Sequence, residues 1–179
     1  MTIAVLYGGN RPNGNTEALT KLATQGLEVE EIYLNDYVIE AIQDKRHAEE
    51  GFGEVDDDYN FILDRILPHD TLIFSTPIYW YSMTGTMKNF IDRWSQTLRD
   101  SNYPDFKKHM SQKRAFVIAV GGDQPYMKAL PMIQQFQHIF DFMGTAFDGY
   151  VIGEGNKPGD IAKDARALSA AEQLRKKLQ

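Results

Sequence analysis

The sequence predicts an α/β fold in which one five-stranded parallel sheet, of strand order 2-1-3-4-5, is wound by helices on both faces. Three observations carry that prediction. Five apolar runs, near residues 2–7, 28–34, 70–76, 114–120 and 146–152, alternate with segments of helical periodicity. Two of these runs, Thr71-Leu72-Ile73-Phe74 and Ala115-Phe116-Val117-Ile118-Ala119-Val120, are almost uninterrupted in apolar residues, as strands buried on both faces are. The chain has 179 residues, enough to enclose one core and bury roughly 70% of its unfolded surface, so a single domain over residues 1–179 is expected.

The first strand, Ile3-Ala4-Val5-Leu6-Tyr7, runs straight into Gly8-Gly9-Asn10-Arg11-Pro12-Asn13-Gly14-Asn15-Thr16 and then into the helical run Glu17-Ala18-Leu19-Thr20-Lys21-Leu22-Ala23. A strand, a glycine- and asparagine-rich turn and a helix start place backbone N–H groups and the positive end of a helix dipole at one point. That is an anion cradle. Its spacing matches neither the dinucleotide fingerprint nor the nucleotide-hydrolase loop, and no lysine follows Gly14, which argues against triphosphate hydrolysis. A loop with one cation, Arg11, suits a single terminal phosphate, which takes backbone N–H groups, the Asn15 and Thr16 side chains and a guanidinium contact. The plainer alternative is an ordinary strand-to-helix turn capped by Asn15 or Thr16.

The second strand, Val29-Glu30-Glu31-Ile32-Tyr33-Leu34, is mixed in polarity and belongs near a sheet edge. Residues 36–55 follow without periodicity and read as a lid or an interface element. Asp56-Asp57-Asp58 precede a helix whose buried stripe is Tyr59, Ile62, Leu63, Ile66 and Leu67; acids there oppose the dipole, with a metal site as the sharper alternative. After the third strand comes Ser75-Thr76-Pro77-Ile78-Tyr79-Trp80-Tyr81, in which three consecutive aromatics cannot all face one core. At least one is displayed. A helix with the stripe Met87, Phe90, Ile91, Trp94 and Leu98 follows, on which Asp92 and Arg93 read as surface or interface residues. The fourth strand ends at Gly121-Gly122-Asp123-Gln124, either a plain turn or a place where backbone approaches a ligand closely, and Tyr126 just beyond is a candidate for facing substrate. Helices near 128–143 and 159–177 complete the alternation, the last ending in Arg175-Lys176-Lys177 at its negative pole.

Strand order 2-1-3-4-5 reverses between strands 1 and 3, and ligands bind at the carboxyl ends there. The loops after strands 1, 3 and 4 then offer a phosphate cradle, an aromatic platform and polar backbone side by side. Phosphate plus flat ring describes FMN.

At these residues the chain resembles the NAD(P)H-dependent FMN reductase family of flavodoxin-like proteins. Its pattern Gly-Ser-x-Arg-x-x-Gly-Asn-Thr is close to Gly8 through Thr16, and its Pro-x-Tyr-Trp loop running into Lys-x-Phe-Ile-Asp-Arg is present as Pro77-Ile78-Tyr79-Trp80 and Lys88-Asn89-Phe90-Ile91-Asp92-Arg93. The resemblance spans nearly the whole chain. It implies FMN held by Gly9, Arg11, Asn13, Gly14, Asn15 and Thr16 at the phosphate, by Pro77, Ile78, Tyr79, Trp80 and Tyr81 along the ring, and by Gly121, Gly122 and Asp123 at the pyrimidine side. It also implies NADPH or NADH as electron donor, a small flavin, quinone, nitro or azo acceptor, ping-pong turnover, and a homodimer or homotetramer. Gly9 stands where the family commonly has serine, and Asn10 offers a substitute polar group. Related iron–sulfur flavoproteins carry clustered cysteines where this chain has residues 35–47, and here there are none. A flavodoxin-type electron carrier, without its own NAD(P)H oxidation, is the rival reading.

Composition narrows the rest. Acids outnumber bases 25 to 19, a net charge of −6 that argues against binding nucleic acid or an anionic membrane. With no cysteine, a disulfide, a thiol nucleophile and a thiolate-held cluster are all excluded. His47, His69, His109 and His138 lack ligand spacing, so no metal is expected. No secretory pattern opens the chain and no apolar run approaches about 20 residues, so a cytoplasmic protein is expected.

Overall fold

In the computed structural model, which describes residues 2–179, the chain forms one parallel sheet of order β2-β1-β3-β4-β5. Its strands are β1 (Ile3–Tyr7), β2 (Val29–Tyr33), β3 (Thr71–Pro77), β4 (Arg114–Gly121) and β5 (Ala146–Glu154). Register is regular through the centre: Tyr7 stands opposite Tyr33 on one side and Ser75 on the other. It slips only at β4–β5, between Ala115 and Phe116, where Gly149 takes a φ of 147°. As the mixed polarity of 28–34 requires, β2 is an edge strand.

Successive strand residues point to opposite faces, so each strand feeds two cores. On one face Ala4, Leu6, Leu72, Phe74, Val117 and Ala119 pack under α2 (Tyr59–Ile66), α3 (Gly85–Asp92), α4 (Trp94–Thr97), α5 (Phe106–Ser111) and α7 (Leu130–Met143). Phe74 is the hub of that layer, its ring lying 5.1 Å from Phe140, 5.8 Å from Phe136 and 6.3 Å from Trp94. On the other face Ile3, Val5, Ile73, Phe116, Ile118 and Val120 pack under α1 (Asn15–Ala23) and α8 (Ala165–Leu178). Among the described residues no helix is long and apolar enough to cross a membrane.

Several elements differ from the sequence expectation. The stripe from Met87 to Leu98 breaks at Arg93 into α3 and α4. The helix near 128–143 opens with a separate turn, α6 (Pro125–Lys128), and the last helix is preceded by a 3₁₀ turn at Asp160–Lys163. The short α5 carries too few residues for a periodic signal. The largest correction concerns Arg93, expected at the surface or in an interface. Its side chain is 2% exposed, as is that of Asp57, which it meets at 2.5 Å. Its Nε donates to Gln96 Oε1 at 2.8 Å, one terminal nitrogen donates to the Glu40 carbonyl at 3.2 Å, and the guanidinium lies 4.5 Å over the Tyr59 ring. Asp92 does stay partly exposed, paired with Lys88.

This cation is what orders residues 37–58, a stretch that has no strand or helix. Asp57 also accepts from the Glu40 N–H at 2.9 Å, Asp58 accepts from the Val38 N–H at 2.8 Å, and Gln96 donates to the Gly53 carbonyl. The acidic run therefore serves the loop behind it more than the helix ahead of it. Among the described residues no group of three or more His, Asp or Glu side chains is placed to hold a metal ion.

Breaking a buried ion pair from one side strands the other charge, at a cost of about 3–5 kcal/mol. Arg93→Met should lower stability in urea unfolding by that amount, whereas a loss below about 1 kcal/mol would mean that water already solvates Asp57.

Candidate functional site

A cleft of about 380 Å³ opens at the carboxyl ends of β1, β3 and β4, lined by residues 9–17, by Ser75 and Pro77–Tyr79, by Val120–Gly122 and by Gly155 and Asn156. The turn after β1 is fixed from below. The Gly8 N–H donates to the Ser75 carbonyl at 2.8 Å, and a Cβ on Gly8 would lie 2.8 Å from Thr84 Oγ1, so only glycine fits there. Gly14 is the cap of α1, its carbonyl accepting from the Ala18 N–H at 3.0 Å. Neither Asn15 nor Thr16 is the cap; they are the first two helical residues, whose N–H groups have no intrahelical acceptor.

Asn13 sits at φ +54° and gives its N–H to Glu17 Oε2 at 2.8 Å. Burial pushes the Glu17 carboxyl up, but Lys21, the Asn13 N–H and Tyr33 together outweigh it and hold it below its ordinary value. Glu17 therefore stays charged and the loop stays tied to α1 at neutral pH. Thr16 is buried, and among the described residues its hydroxyl has no hydrogen-bond partner. Asn15 corrects the sequence expectation: its Nδ2 donates to the Lys157 carbonyl at 2.9 Å and its Oδ1 faces the Ile161 N–H. Its side chain is turned to the segment after β5, and only its backbone serves the cradle. Arg11 is exposed, one terminal nitrogen 3.5 Å from the Asn156 carbonyl, at the rim rather than the floor.

The loop after β3 carries unusual backbone. Tyr79 and Ser82 exchange both N–H···O bonds, at 3.0 and 3.1 Å, while Trp80 and Tyr81 between them take φ of +48° and +65°. Two positive φ values in a two-residue turn define type I′, whose preferred occupants are asparagine and glycine. Two bulky aromatics there are strained, by about 1–3 kcal/mol each. The turn holds Trp80 out at 95% exposure. Tyr79 donates to Asn10 Oδ1 at 3.1 Å, joining this loop to the cradle. Tyr81 donates to Asp123 at 2.8 Å, and Lys128 reaches the same carboxylate oxygen at 2.5 Å; Lys128 first and Tyr81 second hold the Asp123 carboxyl below its ordinary value. Gly121 lets Ile78 close in, since a Cβ there would meet the Ile78 side chain at 3.1 Å.

Of the loop residues singled out from sequence, Gly9 to Thr16, Pro77 to Tyr79, Gly121 and Gly122 line this cleft, whereas Trp80, Tyr81 and Asp123 line a smaller adjoining pocket that shares Ile78, Gly121 and Gly122 with it. The Tyr126 hydroxyl donates instead to Asp164 under the Arg166 guanidinium and ties α6 to the segment after β5. Asn35, Ser75, Gly155 and Asn156 are among the participants that the sequence reading missed. Asn35, just past β2, donates to the Gly9 carbonyl at 2.9 Å and accepts from Thr86 at 3.1 Å, steadying the cradle. Gly155-Asn156 closes the far wall, and as a glycine–asparagine pair at the carboxyl end of β5 it was open to the argument used for the other loops. Ser75 forms part of the floor.

Comparison with known proteins fits this geometry. The family model described as NADPH-dependent FMN reductase matches residues 1–155. The chain is 60% identical over 177 residues, 99% of its length and 98% of the other's, to YwqN of Bacillus subtilis, whose name assigns it to the NAD(P)H-dependent FMN-containing oxidoreductases. It is 30% identical to an iron–sulfur flavoprotein of Methanocaldococcus jannaschii, over 99% of this chain and 95% of that one. Among solved structures, the Trp repressor binding protein of Bacillus subtilis superposes with a TM-score of 0.83 at 54% identity, covering 97% of each chain.

The strained turn yields a stability test. Replacing Trp80 by Asn and Tyr81 by Gly together relieves about 2–6 kcal/mol of strain but loses the Tyr81–Asp123 hydrogen bond and adds the chain entropy of a glycine, so stability should rise by a net of about 1–2 kcal/mol, read from thermal unfolding. A fall instead would mean that the two rings anchor the loop.

Proposed function

We propose a function for this chain from the family to which it belongs, the NADPH-dependent FMN reductases: it takes electrons from NADPH or NADH and passes them to a small flavin, quinone, nitro or azo acceptor, one substrate after the other in a single cleft. It is an NAD(P)H-dependent FMN-containing oxidoreductase, residues 1–179 acting as one FMN-binding unit. The observation that carries the reading is the pairing, on one rim, of helical N–H groups at Asn15 and Thr16 that lack an acceptor with an aromatic turn held open against strain. The residues fit the cofactor. A phosphate matches the free N–H groups and the Thr16 hydroxyl, with Gly9, Asn10, Arg11, Asn13 and Gly14 completing the loop around it. A flat ring matches the platform from Pro77 to Tyr81, with Gly121, Gly122 and Asp123 beside its polar edge. When bound, FMN supplies the hydride and electron transfer. The chain supplies position, exclusion of water on one side of the ring, and charge; no side chain is assigned as acid or base.

The cradle and the start of the aromatic loop meet at one cleft, and donor and acceptor take turns in it. Parallel double-reciprocal plots follow. Anaerobic addition of NADPH or NADH to the FMN-loaded protein should bleach the flavin absorbance before any acceptor is present. Failure of both nicotinamides over minutes would leave the electron-carrier reading in its place.

The exposed aromatics of the loop after β3, together with Met127, 71% exposed, and Leu130, 40% exposed, favour association into a homodimer or homotetramer that covers them. Light scattering of the FMN-loaded protein at micromolar concentration should give at least twice the chain mass. A monomer there would refute the association.

A further inference from the structure

We propose that Ser75 is the acceptor for a hydroxyl of the polyol chain that joins phosphate to ring, an inference that rests on the FMN reading above. The assignment follows from where one hydrogen goes. Thr20 donates from Oγ1 to the Thr16 carbonyl at 2.8 Å, and Thr20 Oγ1 and Ser75 Oγ lie 2.8 Å apart, both buried. A carbonyl only accepts, so the single Thr20 hydrogen is committed to it, and the Ser75–Thr20 contact is a hydrogen bond only if Ser75 donates. Ser75 is then left with lone pairs and no hydrogen to offer. Among the described residues no N–H or O–H of the chain donates to Ser75 Oγ. The hydroxyl is satisfied as a donor to Thr20 but keeps unfilled lone pairs, whose natural complement is a ligand O–H.

Position gives that O–H its source. Ser75 is paired with Tyr7 of β1 and Ile118 of β4, midway along the floor of the cleft. Thr16 and the start of α1 lie on one side of it, Ile78 and Gly121 on the other. A ligand with its anion in the cradle and its ring on the aromatic loop must carry its linking chain across Ser75. A linker of hydroxylated carbons, but not a bare alkyl chain, satisfies the oxygen. The preset orientation also makes Ser75 selective: it discriminates against a ligand that presents an acceptor there.

Fluorescence titration of the apo-protein with FMN, riboflavin and lumiflavin tests this, since riboflavin lacks the phosphate and lumiflavin lacks the polyol as well. Ser75→Ala should weaken FMN and riboflavin by the same factor, about tenfold, and leave lumiflavin unchanged. Thr20→Val keeps the Ser75 oxygen, so FMN affinity should stay within about threefold of wild type. The assignment is overturned if Ser75→Ala binds FMN as wild type does, if it weakens all three ligands alike, or if Thr20→Val is as damaging as Ser75→Ala. Wild-type protein that bound neither FMN nor riboflavin would remove the cofactor reading, and Ser75 with it.

Discussion

β1 is flanked by β2 and β3, and the two connections run over opposite faces of the sheet. From β1 the chain leaves through α1 on the face shared with α8; it reaches β3 through α2 on the other face. At the carboxyl edge between β1 and β3 the connections therefore diverge, and nothing from either helix layer closes over the first turn of α1. The unsatisfied N–H groups of Asn15 and Thr16 face that opening because the strand order reverses there. Leu19 and Ala23 pack α1 into the core beside α8, which fixes where the helix begins. The three loops of the site then stand around this point as a consequence of strand order.

Backbone strain is gathered at the same place. Among the described residues the non-glycine positions with left-handed φ are Asn13, Trp80, Tyr81 and Gln124, one or two in each of the three loops. Such conformations persist where surrounding contacts over-determine them. Here those contacts are identifiable: Glu17 on the Asn13 N–H, the reciprocal Tyr79–Ser82 pair, and the turn of α6 starting at Pro125. The magnitudes decide how the parts share the work of binding. Micromolar affinity needs about 8 kcal/mol, and a helix terminus contributes about 0.3–2 kcal/mol. The dipole locates the anion; charge-assisted hydrogen bonds at about 1.5–3 kcal/mol each, with burial of a ring on the aromatic turn, must supply the rest.

The sheet, its order and the rim of the site were legible because each rests on a local pattern: apolar runs for buried strands, polarity at Val29–Tyr33 for the edge, glycine-rich turns at strand ends. What was not legible depends on contacts distant in sequence. Arg93 reads as a surface residue on its own helix, and only Asp57 and the Glu40 carbonyl, brought in from the loop after β2, make it a buried one. Asn15 has a good side chain for an anion site, yet the segment after β5 claims it through Lys157 and Ile161. The left-handed Trp80-Tyr81 turn runs against residue preference and was hidden for that reason. The same distant contacts explain how residues 37–58 hold a defined path without cysteine: a cation from α3–α4 and two aspartates bind the loop's backbone directly.

The account turns on recognition of a terminal phosphate by the turn after β1, and the relative affinity of the apo-protein for FMN and riboflavin measures that recognition directly. FMN should bind at least about a hundredfold tighter, the worth of two charge-assisted hydrogen bonds at about 1.5 kcal/mol each. Equal affinity for the two would show that the cradle does not read the phosphate and would contradict the site as assigned.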